Sequence, residues 1–418
     1  MPGIVASLQA EFDEKLLKAE SGVARHVELP DVKNKIKVAI GMRRSGKTFL
    51  LFQVIQKLLD QKVPRESILY INFEDDRLMP CDQKKLADML ESFYEEYPQN
   101  HDRVTYLFLD EIQNVTDWPL VIRRFFDTKK VQIYLTGSSA KLLSKEIASS
   151  LRGRSLATEV FPYSFHEFLT AHDIKLKSGA FQGKHQQDVL LEQLRIYLRD
   201  GGFPEVIAMD TTDRIRILQD YINVVIFRDI IERYHITHHV LVNYLIKTIL
   251  HNVASPFSVN KFFNDVKSQG ISVAKGTLYE YLTYIEDAYL VFGVPLYAKS
   301  QRKVYTNPKK YYAVDPGLIR AFTLNFDGNM GHLFENLVYL DLRRQGAEIY
   351  YYLTAERYEV DFVARFLDGT QKLYQVVWDM KDEETMAREK RALVAAEKEL
   401  GIQGEIITPA NYLEKIKF

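Results

Sequence analysis

The residues Gly41-Met42-Arg43-Arg44-Ser45-Gly46-Lys47-Thr48 satisfy the pattern G-x-x-x-x-G-K-[ST], directly after a predicted strand and directly before a predicted helix. Each residue type has a reason to be there. Glycines let backbone N–H groups curl around phosphate oxygens, and a helix N-terminus favours an anion. Lys47 reaches the terminal phosphates and Thr48 holds Mg²⁺. Arg43, Arg44, Ser45 and the following Phe49 belong to the same nucleotide-binding segment. The ligand this segment predicts is ATP with Mg²⁺.

Further along, the apolar run YLFL leads into Asp110-Glu111. A strand ending beside the phosphates would let Asp110 bind Mg²⁺, largely through water, and Glu111 orient or deprotonate the attacking water. The next predicted strand ends in Thr136-Gly137-Ser138-Ser139. There Ser138 either senses the γ-phosphate or caps a helix. In LRGRS (151–155), Arg152 and Arg154 are candidates for an arginine finger, in cis or from a neighbouring subunit, with a plain surface arginine as the alternative.

A second stretch with chemistry is YEVDFVARFLDGTQKLYQVVWDM (358–380), two predicted strands joined by an Asp-Gly turn. Glu359 and Asp361 fall on one face of the first. The second ends in Gln375, Val376 and Val377, where a metal-dependent nuclease would want an acid and a lysine. Glutamine brings no charge and valine no ammonium. Lys372, Lys381 and Arg388 are nearby cations with no spacing that demands the role.

A third signal is a predicted helix-turn-helix, SVNKFFNDVKSQG (258–270) followed by SVAKGTLYEYLTYIEDA (272–288). Val259, Phe262, Phe263 and Val266 share a face of the first helix. The second turns Leu278, Leu282 and Ile285 inward and leaves Lys275, Thr277 and Tyr281 for a major groove. A basic β-hairpin wing is expected next, with Lys299, Arg302, Lys303, Lys309 and Lys310 available to phosphates, and no acid lies between Tyr289 and Val314. Tyr311 and Tyr312 read as core. The alternative for this region is packing or protein contact.

These motifs need elements to position them. Between residues 36 and 160, β-rich runs alternate with amphipathic stretches, which is α/β with a parallel sheet. The predicted strands are 36–41, 67–73, 106–110, 131–137 and 156–161, and the helices 47–60, 84–97, 117–127 and 139–150. The expected domains are a P-loop ATPase domain over 1–163, a helical lid over 164–252, a winged-helix domain over 253–327, and an α/β domain of helix, three strands, helix and strand over 328–418. With 418 residues, 46% apolar and 27% charged, the chain is of ordinary globular composition and too long for one core. The net charge of −1 excludes a uniformly basic nucleic-acid coat, so DNA would meet a local patch. A lone Cys81 supports neither a disulfide nor a zinc knuckle. The N-terminus lacks an export pattern and no apolar run approaches a membrane span, so a cytoplasmic protein without membrane contact is expected.

Taken in order, GMRRSGKT, YLFLDEIQNV, YLTGSSAKLLS, LRGR and VFPYSFHEFL resemble the AAA ATPases of bacteria and archaea that carry a C-terminal endonuclease-like domain of unknown function. The resemblance implies that Gly202, Phe203 and Pro204 of GGFPEV (201–206) let a helical lid touch the nucleotide. It also implies a nuclease-like centre to which Glu335, on the helix over 331–346, and Asp361 would contribute, with Gln375 and Val377 departing from its pattern and cleavage therefore not expected. The function expected is an ATPase whose nucleotide state changes its grip on DNA, in repair, recombination or genome defence. The alternatives are an ATP-dependent nuclease and a signal-transduction ATPase with a protein or small-ligand partner. A homo-oligomer is compatible with either arginine acting in trans.

Overall fold

Five consecutive buried positions make IKVAI a strand covered on both faces, β1 (Ile36–Ile40), as a parallel sheet flanked by helices requires. Lys37, within it, is buried too, and its Nζ donates to Gln132 Oε1 at 2.8 Å. In the computed structural model, which describes residues 2–19, 22–137, 151, 153–174, 184–323, 330–379 and 383–415, β1 belongs to a five-stranded sheet. Its partners are β2 (Ile68–Asn72), β3 (Thr105–Asp110), β4 (Val131–Gly137) and β5 (Ser155–Glu159), all parallel, in the order β2-β3-β4-β1-β5. These are the strands the alternation predicts. Helices Lys47–Asp60, Gln83–Glu96 and Trp118–Thr128 follow the first three strands, and the helix expected over 139–150 lies outside the described residues.

Because β4 lies between β1 and β3, the C-terminal ends of all three strands form one edge. Loops after β1 and β3 must meet there, at the kind of crevice where open α/β sheets take their ligands. An additional helix, Pro2–Ala19, packs Phe12 and Leu16 among Leu51, Phe52, Ile55 and Tyr70. The Phe12 ring stacks on Tyr70 with centroids 4.6 Å apart.

The chain divides into two compact units, Met1–Phe161 and Pro162–Phe418. The second opens with helix Phe165–Ala171, capped reciprocally: Glu167 N–H donates to Ser164 Oγ, and Ser164 N–H to Glu167 Oε2. Helices Lys184–Asp200, Thr211–Val224 with its π-type continuation Val225–Glu232, and His239–His251 follow. A short strand β6 (Pro256–Phe257), helices Val259–Ser268 and Lys275–Asp287, and strands β7 (Val291–Val294) and β8 (Lys309–Ala313) follow, two successive helices beside an antiparallel sheet ordered β6-β8-β7. Tyr311 and Tyr312 are buried, as expected.

Two expectations fail here. The connection from β7 to β8 is no extended wing; it holds a helix, Gln301–Thr306. Tyr281 is buried beside Leu282 and Ile285, because its position falls on the apolar face of its helix and not on the exposed one.

Helix Pro316–Phe322 turns back onto helices Lys184–Asp200 and Thr211–Val224. Asp200 receives Arg214 at 2.5 Å and Arg320 at 2.6 Å, so residues far apart in sequence share one buried ion-pair centre. That junction makes a single compact body of what the sequence divides at 252 and 327. Helix Met330–Arg344, β9 (Glu348–Leu353), β10 (Glu359–Arg365), β11 (Gln371–Val376), helix Glu383–Leu400, β12 (Gly404–Ile407) and helix Pro409–Lys415 complete the chain. Their sheet is ordered β12-β11-β10-β9, antiparallel except for β11 with β12. Val360, Val363 and Leu373 face Ala392, Leu393 and Ala396 of the helix that covers them. Among the described residues no helix is long and apolar enough to cross a membrane.

Candidate functional sites

The loop after β1 is shaped by its glycines. At Gly41, with φ +153°, a Cβ would stand 2.2 Å from the Val160 carbonyl oxygen, so no side chain fits. Gly46, with φ +98°, turns the chain directly into helix Lys47–Asp60. Lys47 is buried, its Nζ donating to the carbonyls of Gly41 at 3.1 Å and Met42 at 3.0 Å, with Glu111 Oε1 at 3.7 Å.

Beside it, at the end of β3, Asp110 is fully buried. Its Oδ2 accepts from Thr48 Oγ1 at 2.7 Å and from Tyr70 OH at 2.8 Å, and its Oδ1 from Thr136 Oγ1. Burial, and then the adjoining Glu111 carboxylate, push Asp110 above the usual carboxylate range against these three hydroxyls. Glu111 has a left-handed backbone, φ 54°, its N–H donates to Thr136 Oγ1 at 2.9 Å, and its carboxylate accepts from Gln113. The structure thus brings Lys47, Thr48, Asp110 and Glu111 together, and adds Tyr70 and Thr136 as fixing groups that the motif alone does not reveal.

The fit of a phosphate ligand rests on two features. Ser45 Oγ is fully buried yet has no hydrogen-bond partner among the described residues. Gly41 and Gly46 carry no Cβ at the two ends of the loop. Both suit a group that brings its own oxygens, and Thr48 with Asp110 would hold the accompanying Mg²⁺. Arg43 pairs with Glu74 at 2.5 Å, Arg44 carries a left-handed φ of 64°, and Phe49 follows on the first turn of the helix.

Arg25 has no sequence signal. It is buried, with one guanidinium nitrogen donating to Ser45 O and another to Phe161 O, both at 2.7 Å, and it braces the loop from behind. Arg154 stands elsewhere. It precedes β5, whose first residue Ser155 pairs with Ile36 at the start of β1, roughly 15 Å along the strands from the loop. Its Nε contacts Asp127 at 3.0 Å. A finger acting in cis does not suit that placement. Ser138 and Arg152 lie outside the described residues. In the second unit Gly202 N–H donates to Asp315 Oδ2 at 2.7 Å, Phe203 is buried, and Pro204 starts a short helical turn.

The C-terminal carboxylates gather around a lysine that the sequence places on a DNA-facing wing. Lys310, on β8, is 1% exposed. Its Nζ lies 2.7 Å from Glu335 Oε1, 2.8 Å from Glu359 Oε1 and 3.5 Å from Asp361 Oδ1. Tyr312 OH donates to the same Glu335 oxygen at 2.7 Å. Burial opposes the ammonium, yet Glu335 and the other acids outweigh it and raise its pKa, while burial and Glu335 raise that of Asp361. Lys310 is therefore not available to DNA, because successive strand side chains point to opposite faces: Lys309 turns out to Glu286 at 3.0 Å and Lys310 turns in. The cation beside these carboxylates is Lys310 of β8, not a residue of β11. Lys372 is exposed, Arg388 pairs with Glu389 at 2.6 Å, and Lys381 lies outside the described residues.

This centre does not fit a divalent metal as arranged. Gln375 Oε1 faces the Asp361 N–H at 3.3 Å, its amide nitrogen donates to Glu389 at 2.6 Å, and Asp361 Oδ2 accepts the Val376 N–H at 2.9 Å. Among the described residues no group of three or more His, Cys, Asp or Glu is placed to hold a metal ion. The centre itself lines an open cavity of about 580 Å³, to which Glu335, Glu359, Asp361 and Gln375 contribute together with Arg357 and Arg388. Lys275, Lys299, Arg302 and Lys303 are exposed, and Thr277 is half-buried at the start of helix Lys275–Asp287.

Residues 33–169 match the family model of an AAA domain, and residues 191–329 that of a domain of unknown function, DUF8612. The uncharacterized protein MJ1544 of Methanocaldococcus jannaschii is 34% identical over 390 residues, spanning 92% of this chain and 84% of its own. An uncharacterized protein of Haemophilus influenzae is 29% identical over 357 residues, spanning 85% of this chain and 86% of its own. Among solved structures, the Walker-type ATPase PABY2304 of Pyrococcus abyssi aligns with 75% of this chain and 94% of its own, at 14% identity and a TM-score of 0.42.

Proposed function

Because the chain belongs to the family of MJ1544 and its first unit carries an AAA domain, we propose that it is an ATPase whose nucleotide state governs its hold on DNA. The observation that carries the first half is the contact of Thr48 Oγ1 with Asp110 Oδ2 at 2.7 Å, with Lys47 and Glu111 beside it. It supports this reading, in which Thr48 and Asp110 would hold the metal, Lys47 the phosphates, and Glu111 would act as general base at one sheet edge.

Mg²⁺, when bound, neutralises charge on the β- and γ-phosphates. The residues of this chain do the rest. The loop backbone and Lys47 bind the phosphate oxygens, and Glu111, held by Thr136 and Gln113, accepts the proton of a water that attacks the γ-phosphorus as the bond to the β-phosphate oxygen breaks. Arg152 or Arg154 from a neighbouring subunit would complete the charge balance. Gly202, Phe203 and Pro204 are proposed to report the nucleotide to the second unit.

The DNA-binding half rests on the helix-turn-helix with exposed Lys275 and on the cations Lys299, Arg302 and Lys303. The helix, three strands, helix and strand of the C-terminus are proposed as a nuclease-like fold retained for binding, since its carboxylates hold Lys310 and its donors are turned inward. The test is calorimetry of Mg-ATP binding and turnover with and without duplex, single-stranded and branched DNA. Wild type should bind ATP and turn over faster with at least one DNA, and Lys47→Ala should do neither. Turnover indifferent to every DNA would remove the coupling.

A further inference from the structure

Helix Gln301–Thr306 buries none of its six residues. A helix this short has no stability of its own in water, and Val304 alone of its residues is even half-buried. What it displays is specific. Lys299, Arg302 and Lys303 are exposed, and none of them has a carboxylate partner among the described residues, in contrast to Lys309 and Lys310. Tyr305 is 82% exposed, and neither its ring nor its hydroxyl has a partner among the described residues. Arg302 and Tyr305 are three residues apart, so they share a face of the helix.

An aromatic ring held in water among unpaired cations, in a stretch free of acids from Tyr289 to Val314, complements a polyanion that carries flat apolar faces. In duplex DNA those faces are covered by stacking. In a single strand they are open, and a ring can take one without breaking a base pair.

We propose that the Gln301–Thr306 segment binds single-stranded DNA, with Tyr305 stacked on an unpaired base and Lys299, Arg302 and Lys303 on the flanking phosphates. This rests on the DNA-binding reading above and names the form of DNA that reading would engage.

The test is fluorescence anisotropy of the full chain with a labelled oligonucleotide, alone and annealed to its complement, over a range of salt. Tyr305→Ala should weaken single-strand binding by roughly tenfold and leave duplex binding within about twofold, since stacking is lost only where a base is open. Tyr305→Trp should retain single-strand affinity. Arg302→Ala with Lys303→Ala should weaken both forms and flatten the salt dependence. If the arginine and lysine changes weaken binding while Tyr305→Ala does not, or weakens both forms equally, the inference fails and the DNA reading stands. If none of these changes affects any DNA, the reading itself fails. Competition by polyglutamate as effective as by single-stranded DNA would also overturn the inference, in favour of an acidic protein partner. The urea denaturation midpoint of the second unit should be unchanged in the Tyr305 variants, which confirms their fold.

Discussion

Lys310 Nζ lies 2.7 Å from Glu335 Oε1 inside the second unit, and the two residues come from elements that only the folded chain brings together. Glu359 and Asp361 complete the ring around the same ammonium. Removing one partner of a buried charge set leaves the rest uncompensated, at a cost of about 3–5 kcal/mol. Lys310→Met should therefore lower the stability of the second unit by about that amount in urea denaturation. Lys310→Met combined with Glu335→Gln should cost less than the sum of the single changes. Strict additivity would mean the two do not interact.

The same pair shows where sequence reading stops. The five strands of the first sheet and the phosphate loop are legible, since unbroken apolar runs and the spacing of Gly41, Gly46 and Lys47 are local properties. Lys310 is not, because it sits beside Lys309 in a basic run and is separated from Glu335 by 25 positions. Which of two adjacent strand lysines points inward depends on the register of β8, and residues next to a basic loop read as solvated. Arg25 is illegible for the same kind of reason: its partners are the backbone carbonyls of Ser45 and Phe161, which carry no residue signature. The helix Pro2–Ala19 is masked by its acids, although Phe12 and Leu16 carry its buried face.

Glu111 should separate binding from chemistry. Its place next to Thr136 and Lys47 suits the proposed role of taking a proton from water, in which the loop backbone and Lys47 would hold the phosphates. Glu111→Gln is expected to keep ATP affinity within a few-fold and to lower turnover by about 10²–10⁴-fold. Calorimetry and phosphate release measure the two independently. Equal loss of both would make Glu111 a structural residue.

Arg25 offers a test of the loop from behind. Its guanidinium satisfies two buried carbonyls, and an arginine removed from such partners leaves acceptors unpaired at about 1–3 kcal/mol. Arg25→Ala should weaken ATP binding by roughly tenfold through a misplaced Ser45 backbone, with Arg25→Lys intermediate. An unchanged dissociation constant would show that the loop holds its shape without this brace.

Asp315 carries a pH prediction. Its carboxylate accepts the N–H groups of Gly202 at 2.7 Å and Gly317 at 2.8 Å, and burial raises its pKa to about 6 although those donors and Arg344 oppose the shift. A carboxyl raised on folding binds more protons in the native than in the unfolded chain between its unfolded value, near 3.8, and about 6. Stability from this group is therefore fully present below that window and falls as pH rises through it, by up to about 3 kcal/mol. Asp315→Asn abolishes this titration while keeping one acceptor oxygen. The stability of wild type relative to Asp315→Asn should decline from pH 4 to pH 6 and then level off. Denaturation midpoints of both proteins across that range measure it, and a difference that rises with pH would mean the carboxylate is stabilised in the fold by its two backbone donors more than burial penalises it.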